Sequence, residues 1–303
     1  MKPLVLINQT DNDYFPHEME SCVIRVLYNS NSIVNRIIRK LVLRYNFRCG
    51  IRYIFKHWIK DVEQADTIII FDTGNASYIS SFLKNSYPNK RVIVWYWNSV
   101  TESISVETVG KEIEVWSFDP MDCKKYGMRF NTQFFIEDNL KRRQTIDQLY
   151  DVFYVGADKD RARYLKKLKD VFQENGISYY FNLVKYHNST NDAGIEYKQA
   201  LSYKDVLGYI YNSKVVVDLV AGWQSGLTLR PLEALFYKKK LITNMKKIAD
   251  YDIYNRNNIY IIGVDSWKDL PAFIMGKYDD EQHAELCQKY SFDSWIKRFD
   301  NEE

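Results

Sequence analysis

Residues 218–244 read DLVAGWQSGLTLRPLEALFYKKKLITN, and this stretch decides the fold. The apolar run 214–220 predicts a buried strand, and a loop rich in Gly, Ser and Thr follows it. The pattern then predicts a helix over 229–237, with Pro231 near its first position, and a short strand over 240–243. Strand, loop, helix and strand in this order indicate a parallel β-α-β unit.

The same alternation extends along the whole chain. The other predicted strands are Leu4–Asn8, Thr67–Phe71, Arg91–Tyr96, Glu112–Phe118, Asp151–Gly156, Ile177–Leu183 and Asn258–Ile262. The other predicted helices are 33–60, Ser77–Asn85, Asp158–Glu174, Tyr203–Tyr211 and Glu281–Phe299. Continuous apolar strands indicate parallel sheets that are buried on both faces. Because the polar segment Glu137–Leu149 separates two such series, we predict an α/β protein of two Rossmann-like, doubly wound domains facing a cleft, 1–145 and 146–303.

Length and composition exclude several classes of protein. With 303 residues, 46% hydrophobic and 27% charged, the chain can build two cores and is neither disordered nor fibrous. The first strand meets polar residues too soon for a signal peptide, and no apolar run approaches the length of a membrane span. Four scattered cysteines without a C-x-x-C pair argue against a disulfide framework or zinc ribbon. We therefore expect a cytoplasmic protein.

Positive charge is concentrated in one segment. The net charge is only +3, but residues 35–60 contain eight basic residues and no acid, which leaves 34 basic against 39 acidic residues elsewhere. The basic residues are Arg36, Arg39, Lys40, Arg44, Arg48, Arg52, Lys56 and Lys60. Aliphatic and aromatic residues lie between them, so we expect two helices, broken at Cys49-Gly50, on an anionic membrane surface.

Two other interpretations of this basic segment are open. It could be a solvated helix face, or it could bind nucleic acid. The acidic remainder of the chain would repel a phosphate backbone, so we expect no nucleic-acid partner. The expected membrane-binding residues are Arg36, Lys40, Arg44, Arg48, Arg52 and Lys56.

The loop Gly156–Arg161 is a first candidate ligand site. It follows a strand and opens a helix, whose N-terminal amides and dipole favour a diphosphate. Lys159 and Arg161 add positive charge there. Alternatively, Asp158 only caps the helix. The segment is neither a Walker loop nor G-x-G-x-x-G, so it gives no specific support for ATP or NAD.

The loop after residue 218 is the second candidate. Arg230 is expected at the helix N-terminus facing phosphate, and Glu233 in the first turn could accept hydrogen bonds from ribose. Glu233 could instead only complement the helix dipole. The remaining candidate residues of this site are Gln224, Ser225, Gly226, Leu227, Thr228 and Asn244.

Residues 224–244 resemble a motif of the GT-B glycosyltransferases, in particular the bacterial transferases that build capsule, O-antigen or exopolysaccharide. In that family a G-[LF]-x-x-x-P-L-E-A-[LM] helix is followed by a K-[KP]-[LV]-I-T strand. Residues 117–127 and 251–259 are also similar. The resemblance implies a hexosyltransferase, and with the basic segment 35–60 we expect it in the cytoplasm, peripheral on the inner face of the cell membrane. It also implies a nucleotide-sugar donor, UDP-linked, whose ribose contacts Glu233, and a polyprenyl-linked or oligosaccharide acceptor.

One departure from the family pattern bears on mechanism. Retaining members often carry a second Glu eight positions before the ribose-binding one, and Ser225 stands there in this chain. We therefore expect an inverting transfer, which needs a general base beside the acceptor hydroxyl. Asp72 follows a predicted strand in an Asp-x-Gly turn and is our first candidate, although such an Asp can be turn chemistry alone. The rivals at neighbouring strand ends are Asp11, Asp13 and Asp119.

No metal is expected at the site. Three D-x-D sequences occur, about as many as chance gives for this composition, and the four histidines are isolated from one another. Cationic side chains and helix amides would then stabilise the leaving diphosphate. A sugar-nucleotide epimerase, which can share the two-domain architecture, is the alternative enzyme.

Overall fold

The computed structural model describes residues 1–8, 14–15, 19–28, 32–44, 50, 54–55, 57–187, 189, 194–222 and 224–300, with only the backbone of residues 43 and 44. The chain divides into two compact units, Met1–Thr132 and Gln133–Glu303. Asp11 and Asp13 lie outside the described residues, as does the predicted helix break at Cys49-Gly50 apart from Gly50 itself.

The first unit is built on one parallel sheet. Its strands are β1 (Leu4–Ile7), β2 (Val23–Val26), β3 (Thr67–Phe71), β4 (Arg91–Tyr96), β5 (Glu114–Ser117) and β6 (Arg129–Phe130), in the order β2-β1-β3-β4-β5-β6. Its α-helices are α1 (Ile33–Arg44), α2 (Ile59–Gln64), α3 (Ala76–Ser86) and α4 (Pro120–Tyr126), with 3-10 turns at Val100–Glu102 and Val106–Thr108. All four residues of β1 are buried, because this strand is covered on both faces.

The second unit repeats the architecture. Its strands are β7 (Tyr150–Ala157), β8 (Tyr179–Val184), β9 (Ser213–Asp218), β10 (Lys240–Thr243) and β11 (Ile259–Ile261), all parallel, in the order β11-β10-β9-β7-β8. Its α-helices are α5 (Ala162–Glu174), α6 (Tyr203–Tyr211), α7 (Leu229–Phe236), α8 (Leu270–Met275), α9 (His283–Tyr290) and α10 (Phe292–Arg298). Its 3-10 turns are Glu137–Lys141, Lys246–Asp250 and Trp267–Asp269.

The predicted fold class is confirmed: both units are Rossmann-like parallel α/β structures. The sequence interpretation missed β2 and β6, which lie at the two edges of the first sheet. It also predicted one helix over Glu281–Phe299, whereas Ser291 ends α9 and caps α10 through its hydroxyl, which accepts from the amide of Ser294.

The division between the units falls earlier than the polar segment predicted. Phe135 donates its amide to the Tyr290 carbonyl (2.9 Å) and accepts from the Phe292 amide (3.0 Å). Asn139, fully buried, accepts at its carbonyl from the Tyr237 hydroxyl (3.1 Å). Residues from Gln133 onward therefore belong to the second unit, since a polar sequence can still be held by backbone pairing.

Among the described residues, no helix combines the length and the hydropathy that crossing a bilayer requires.

Candidate functional site

The strand orders mark one position in each sheet. In the first, β2 lies on one side of β1 and β3 on the other; in the second, β8 and β9 flank β7 in the same way. Ligands of doubly wound sheets bind at the carboxyl ends of strands where the order reverses. These points are the ends of β1 and β3 in the first unit and of β7 and β9 in the second.

Asp72 lies at the first of these points, directly after β3. Its carboxylate accepts from the backbone amides of Trp97 (3.0 Å) and Asn98 (3.2 Å), which follow β4. Burial raises the pKa of Asp72 to about 6, against the opposing effect of these hydrogen bonds. A carboxylate with such a pKa can accept a proton near neutral pH, and each oxygen keeps further acceptor capacity.

The rival Asp119 already has a structural function. It is 1% exposed, and its carboxylate caps α4 by accepting from the amides of Met121 (2.9 Å) and Asp122 (3.4 Å). A capping carboxylate at this degree of burial is less accessible to an acceptor than the half-buried Asp72. Asp72 therefore stays our candidate base.

The loop after β7 is packed around Arg161. This side chain donates to the Ala157 carbonyl (3.0 Å), and its Nε is buried without a hydrogen-bond partner among the described residues. A Cβ at Gly156 would lie 2.7 Å from the Tyr154 hydroxyl and 3.2 Å from an Arg161 nitrogen, so glycine permits this close packing. Lys159 lies on the same loop, 5.2 Å from the Tyr186 ring centroid.

Asp158 occupies two of the N-terminal amides of α5 that the sequence analysis suggested for a phosphate. Its Oδ1 accepts from the amides of Arg161 and Ala162, both at 3.1 Å, while the Tyr197 hydroxyl donates to Oδ2 (2.7 Å). The capping interpretation is thus right for Asp158. Since these two amides already donate to Asp158, the groups with which this loop could bind a phosphate are mainly the side chains of Lys159 and Arg161.

The loop after β9 brings a second arginine to the same switch point. Asp218, at the end of β9, accepts from the Thr228 hydroxyl (2.9 Å). Burial raises the pKa of Asp218, while Thr228, Arg230 and Arg161 oppose the rise. Two arginines and a buried carboxylate therefore act on one another electrostatically where β7 and β9 end.

Glu233 differs from its predicted setting. Helix α7 begins at Leu229, so Pro231 is its third residue and Glu233 lies beyond the first turn. Glu233 is 1% exposed and ion-paired with Arg230. Burial raises the pKa of Glu233, and Arg230 and Tyr203 oppose the rise. A ribose hydroxyl would have to share this carboxylate with Arg230.

The other candidates of this loop are partly structural. Asn244 accepts from the Val220 amide (2.8 Å) and donates to the Val220 carbonyl (3.1 Å), which ties the loops after β9 and β10 together. Ser225 accepts at its carbonyl from the Tyr251 hydroxyl (3.2 Å), and Leu227 is buried in the core. The described loop positions beside them are Gln224, Gly226 and Thr228.

Sequence reasoning missed two residues of this cluster, Asp218 and Tyr154. Asp218 could have been found, because it lies near the carboxyl end of the predicted strand 214–220, where doubly wound sheets bind their ligands. Tyr154 lies within a continuous apolar strand, where no periodicity distinguishes it from core.

The predicted basic residues are described only in part. Arg36 and Lys40 are exposed on α1. Arg44 is the last residue of that helix, and its side chain is outside the described part, as are Arg48, Arg52 and Lys56 altogether. Within the described residues, no three His, Cys, Asp or Glu side chains form a group that could hold a metal ion.

Comparison with known proteins places the fold. No protein-family model matches the sequence, and no curated protein matches it. Among solved structures, the chain resembles the apo form of the lipopolysaccharide outer core galactosyltransferase WaaB, with 15% identity, a TM-score of 0.52 and coverage of 99% of this chain and 98% of that one. It also resembles AviGT4, a glycosyltransferase involved in avilamycin A biosynthesis, with 9% identity, a TM-score of 0.54 and coverage of 99% and 96%. Over its whole length, this chain has the fold of GT-B glycosyltransferases.

Proposed function

We propose that this protein is a glycosyltransferase that uses a nucleotide-sugar donor. The observation that carries the proposal is the pair Arg161 and Arg230, which both act on the buried Asp218 at the switch point of the second sheet. Guanidinium groups in a low-dielectric site suit a diphosphate leaving group. The fold shared with WaaB and AviGT4, both glycosyltransferases, supports the same conclusion.

The proposed reaction is inverting and independent of metal. Asp72 removes the proton of the acceptor hydroxyl as its oxygen bonds to the anomeric carbon of the donor. The bond from that carbon to the diphosphate oxygen breaks, and Lys159, Arg161 and Arg230 stabilise the departing charge. The proposed donor is UDP-linked, with Glu233 on its ribose, and the sugar is a hexose. Gly156, Gln224, Ser225, Gly226, Leu227, Thr228 and Asn244 complete the proposed donor site.

We also propose that the acceptor is a lipid-linked or growing surface polysaccharide, presented as a polyprenyl-linked sugar or an oligosaccharide. The protein would work in the cytoplasm, on the inner face of the cell membrane. The positive segment 35–60, with no acid, supports attraction to anionic lipid.

A binding screen followed by product analysis tests the proposal. A panel of UDP-, GDP-, CMP- and dTDP-sugars should contain one that raises the melting temperature, because a ligand of the native state stabilises it. With that donor, product should form only when an oligosaccharide acceptor is present, and should still form in EDTA. Conversion of the donor without acceptor would instead identify an epimerase, and no shift with any sugar nucleotide would contradict the donor site.

A further inference from the structure

Helix α1 exposes five of its aliphatic residues to solvent. The exposed fractions are 74% for Ile33, 65% for Val34, 55% for Ile37, 41% for Ile38 and 51% for Leu41. At about 100° per residue these five positions share one face about 140° wide. A surface helix of a globular protein normally turns such a face toward the core.

The side of α1 that meets the first unit is different. Val42 packs against the core of that unit, and the Arg39 guanidinium lies 3.8 Å from the centroid of the Tyr28 ring. On a helical projection both positions point away from the aliphatic face. Among the described residues, α1 meets the first unit through Val42 and the cation–π contact of Arg39 with Tyr28, and its apolar face is turned outward.

The charges on α1 indicate what could cover this face. Arg36 and Lys40 are exposed and project beside it, and the helix contains no Asp or Glu. A second copy of this chain packed through α1 would bring these like charges together. Aliphatic residues flanked by basic ones instead suit the headgroup boundary of an anionic bilayer.

Helix α1 also lies close to the candidate base. The Tyr28 ring that carries Arg39 accepts, at its hydroxyl, a hydrogen bond from the Asn75 side chain (2.9 Å). Asn75 belongs to the loop that begins with Asp72. A membrane against α1 would thus lie near this loop of the same unit.

We infer that α1 inserts its aliphatic face into an anionic membrane and thereby holds the Asp72 loop near acceptors carried by lipid. The lipid contact stands independently of the reaction, whereas its use for acceptor delivery rests on the proposed function. Because hydrophobic insertion adds to charge, binding persists in part when salt screens the charges.

Flotation of the full chain with vesicles tests the insertion. The vesicles contain phosphatidylcholine with about 30% phosphatidylglycerol, at salt concentrations of about 0.1 M and about 1 M. The test variant is Ile37→Gln with Leu41→Gln. Its matched control is Val264→Gln with Met275→Gln, which removes two exposed apolar side chains from the second unit (60% and 62% exposed).

We expect the α1 variant to lose about tenfold or more of its bound fraction at both salt concentrations, since less apolar surface is inserted. The control variant should float like the parent. Equal flotation of the α1 variant and the parent would overturn the inference. So would a parent dimer in sedimentation that the α1 variant abolishes, since the covering partner would then be a second copy. None of these readouts needs a donor, so failure here leaves the proposed transferase reaction untouched.

Hydrogen exchange on the parent chain gives a second test that needs no variant. Peptides covering residues 33–44 should exchange more slowly with anionic vesicles than with pure phosphatidylcholine vesicles, because lipid excludes water from an inserted helix. Unchanged exchange of these peptides, while the protein floats, would place the lipid contact elsewhere and overturn the inference.

Discussion

Asp72 is held by backbone amides and yet keeps a pKa suited to proton transfer. Its pKa of about 6 lies above the ordinary value because burial disfavours the charged form more than the amides of Trp97 and Asn98 favour it. The position after β3 was predictable from the strand pattern. The two amides were not, because they come from the end of β4 and are brought to Asp72 only by the sheet.

We expect Asp72→Asn to lower kcat by about 100-fold or more, because removal of a general base typically costs two to four orders of magnitude. Donor affinity, measured by calorimetry, should stay within about twofold, since the base acts on the acceptor. Asp119→Asn is the matched control. It should lower the melting temperature, because it weakens the cap of α4, and it should leave kcat nearly unchanged. Near-full kcat in Asp72→Asn would return the role of base to Asp13 or Asp119.

The pH dependence of the parent enzyme follows from the raised pKa of Asp72. Below about pH 6 the carboxyl is increasingly protonated and cannot accept the proton, so kcat should fall toward about tenfold per pH unit. Above that pH the carboxylate is ionised and kcat should level off. A kcat that stays flat from pH 7 to pH 4.5, with the protein still folded, would exclude Asp72 as the base.

The pairing of Glu233 with Arg230 alters how the donor site should be tested. A buried ion pair that loses one partner typically costs about 3–5 kcal/mol, so Glu233→Ala would confound stability with binding. Glu233→Gln removes the charge but keeps the volume and a side-chain oxygen that can accept a hydrogen bond from Arg230, so it should disturb the fold less. We expect it to weaken donor binding about tenfold in calorimetry. The exposed Glu285→Gln is the control and should bind as the parent does. Unchanged affinity in Glu233→Gln would contradict the ribose contact. The i,i+3 spacing allowed this pairing in sequence, but the burial of Glu233 beyond the first turn was not predictable, because a first-turn and a second-turn acid look alike in sequence.

At the scale of elements, the continuous apolar strands were predictable and the edge strands were not. Residues of β3 and β4 are almost all buried, so their composition alone marks them. All residues of β2 are only half-buried, and it carries Arg25, whose guanidinium pairs with Asp61 of α2 at 2.8 Å. A strand at an edge needs less apolar surface, and its pattern is correspondingly weak.

The basic segment 35–60 leads to a prediction about the electrostatic part of membrane binding, separate from the insertion of the aliphatic face of α1. Replacing Arg44, Arg48, Arg52 and Lys56 by Gln should lower the fraction bound to anionic vesicles at about 0.1 M salt, because about 1 kcal/mol of attraction is lost per basic residue, while the aliphatic face of α1 keeps part of the binding. The control variant has the same net charge and replaces four exposed basic residues of the second unit, namely Arg163, Lys166, Lys167 and Lys297. Equal flotation of both variants would show that these four positions of the first unit do not contact lipid. Transfer to a short soluble acceptor should be unchanged in both.

For the whole molecule, the alternation of strands and helices was enough to predict two parallel units. The boundary between them was harder to predict. Polarity suggested residues 137–149, but the segment from Gln133 onward is fixed by backbone hydrogen bonds to residues far along the chain. The polar composition of a segment indicates that it is exposed to solvent. It does not indicate which distant backbone carbonyl its amides will bond to.

The pairing of Phe135 with Tyr290 and Phe292 also sets an order of assembly during synthesis. The contacts of the first unit lie within residues 1–132, so that unit can form while the rest of the chain is still being made. The second unit begins with a segment that pairs with residues 290–295, including Trp295 against Phe134 (4.4 Å between ring centroids), and these residues are translated long after it. Phe134 and Phe135, both fully buried in the folded protein, cannot make these contacts until residues 290–295 have been translated. A nascent chain ending at residue 280 should therefore yield a protease-resistant first unit and a sensitive second one, whereas a chain ending at residue 300 should protect both.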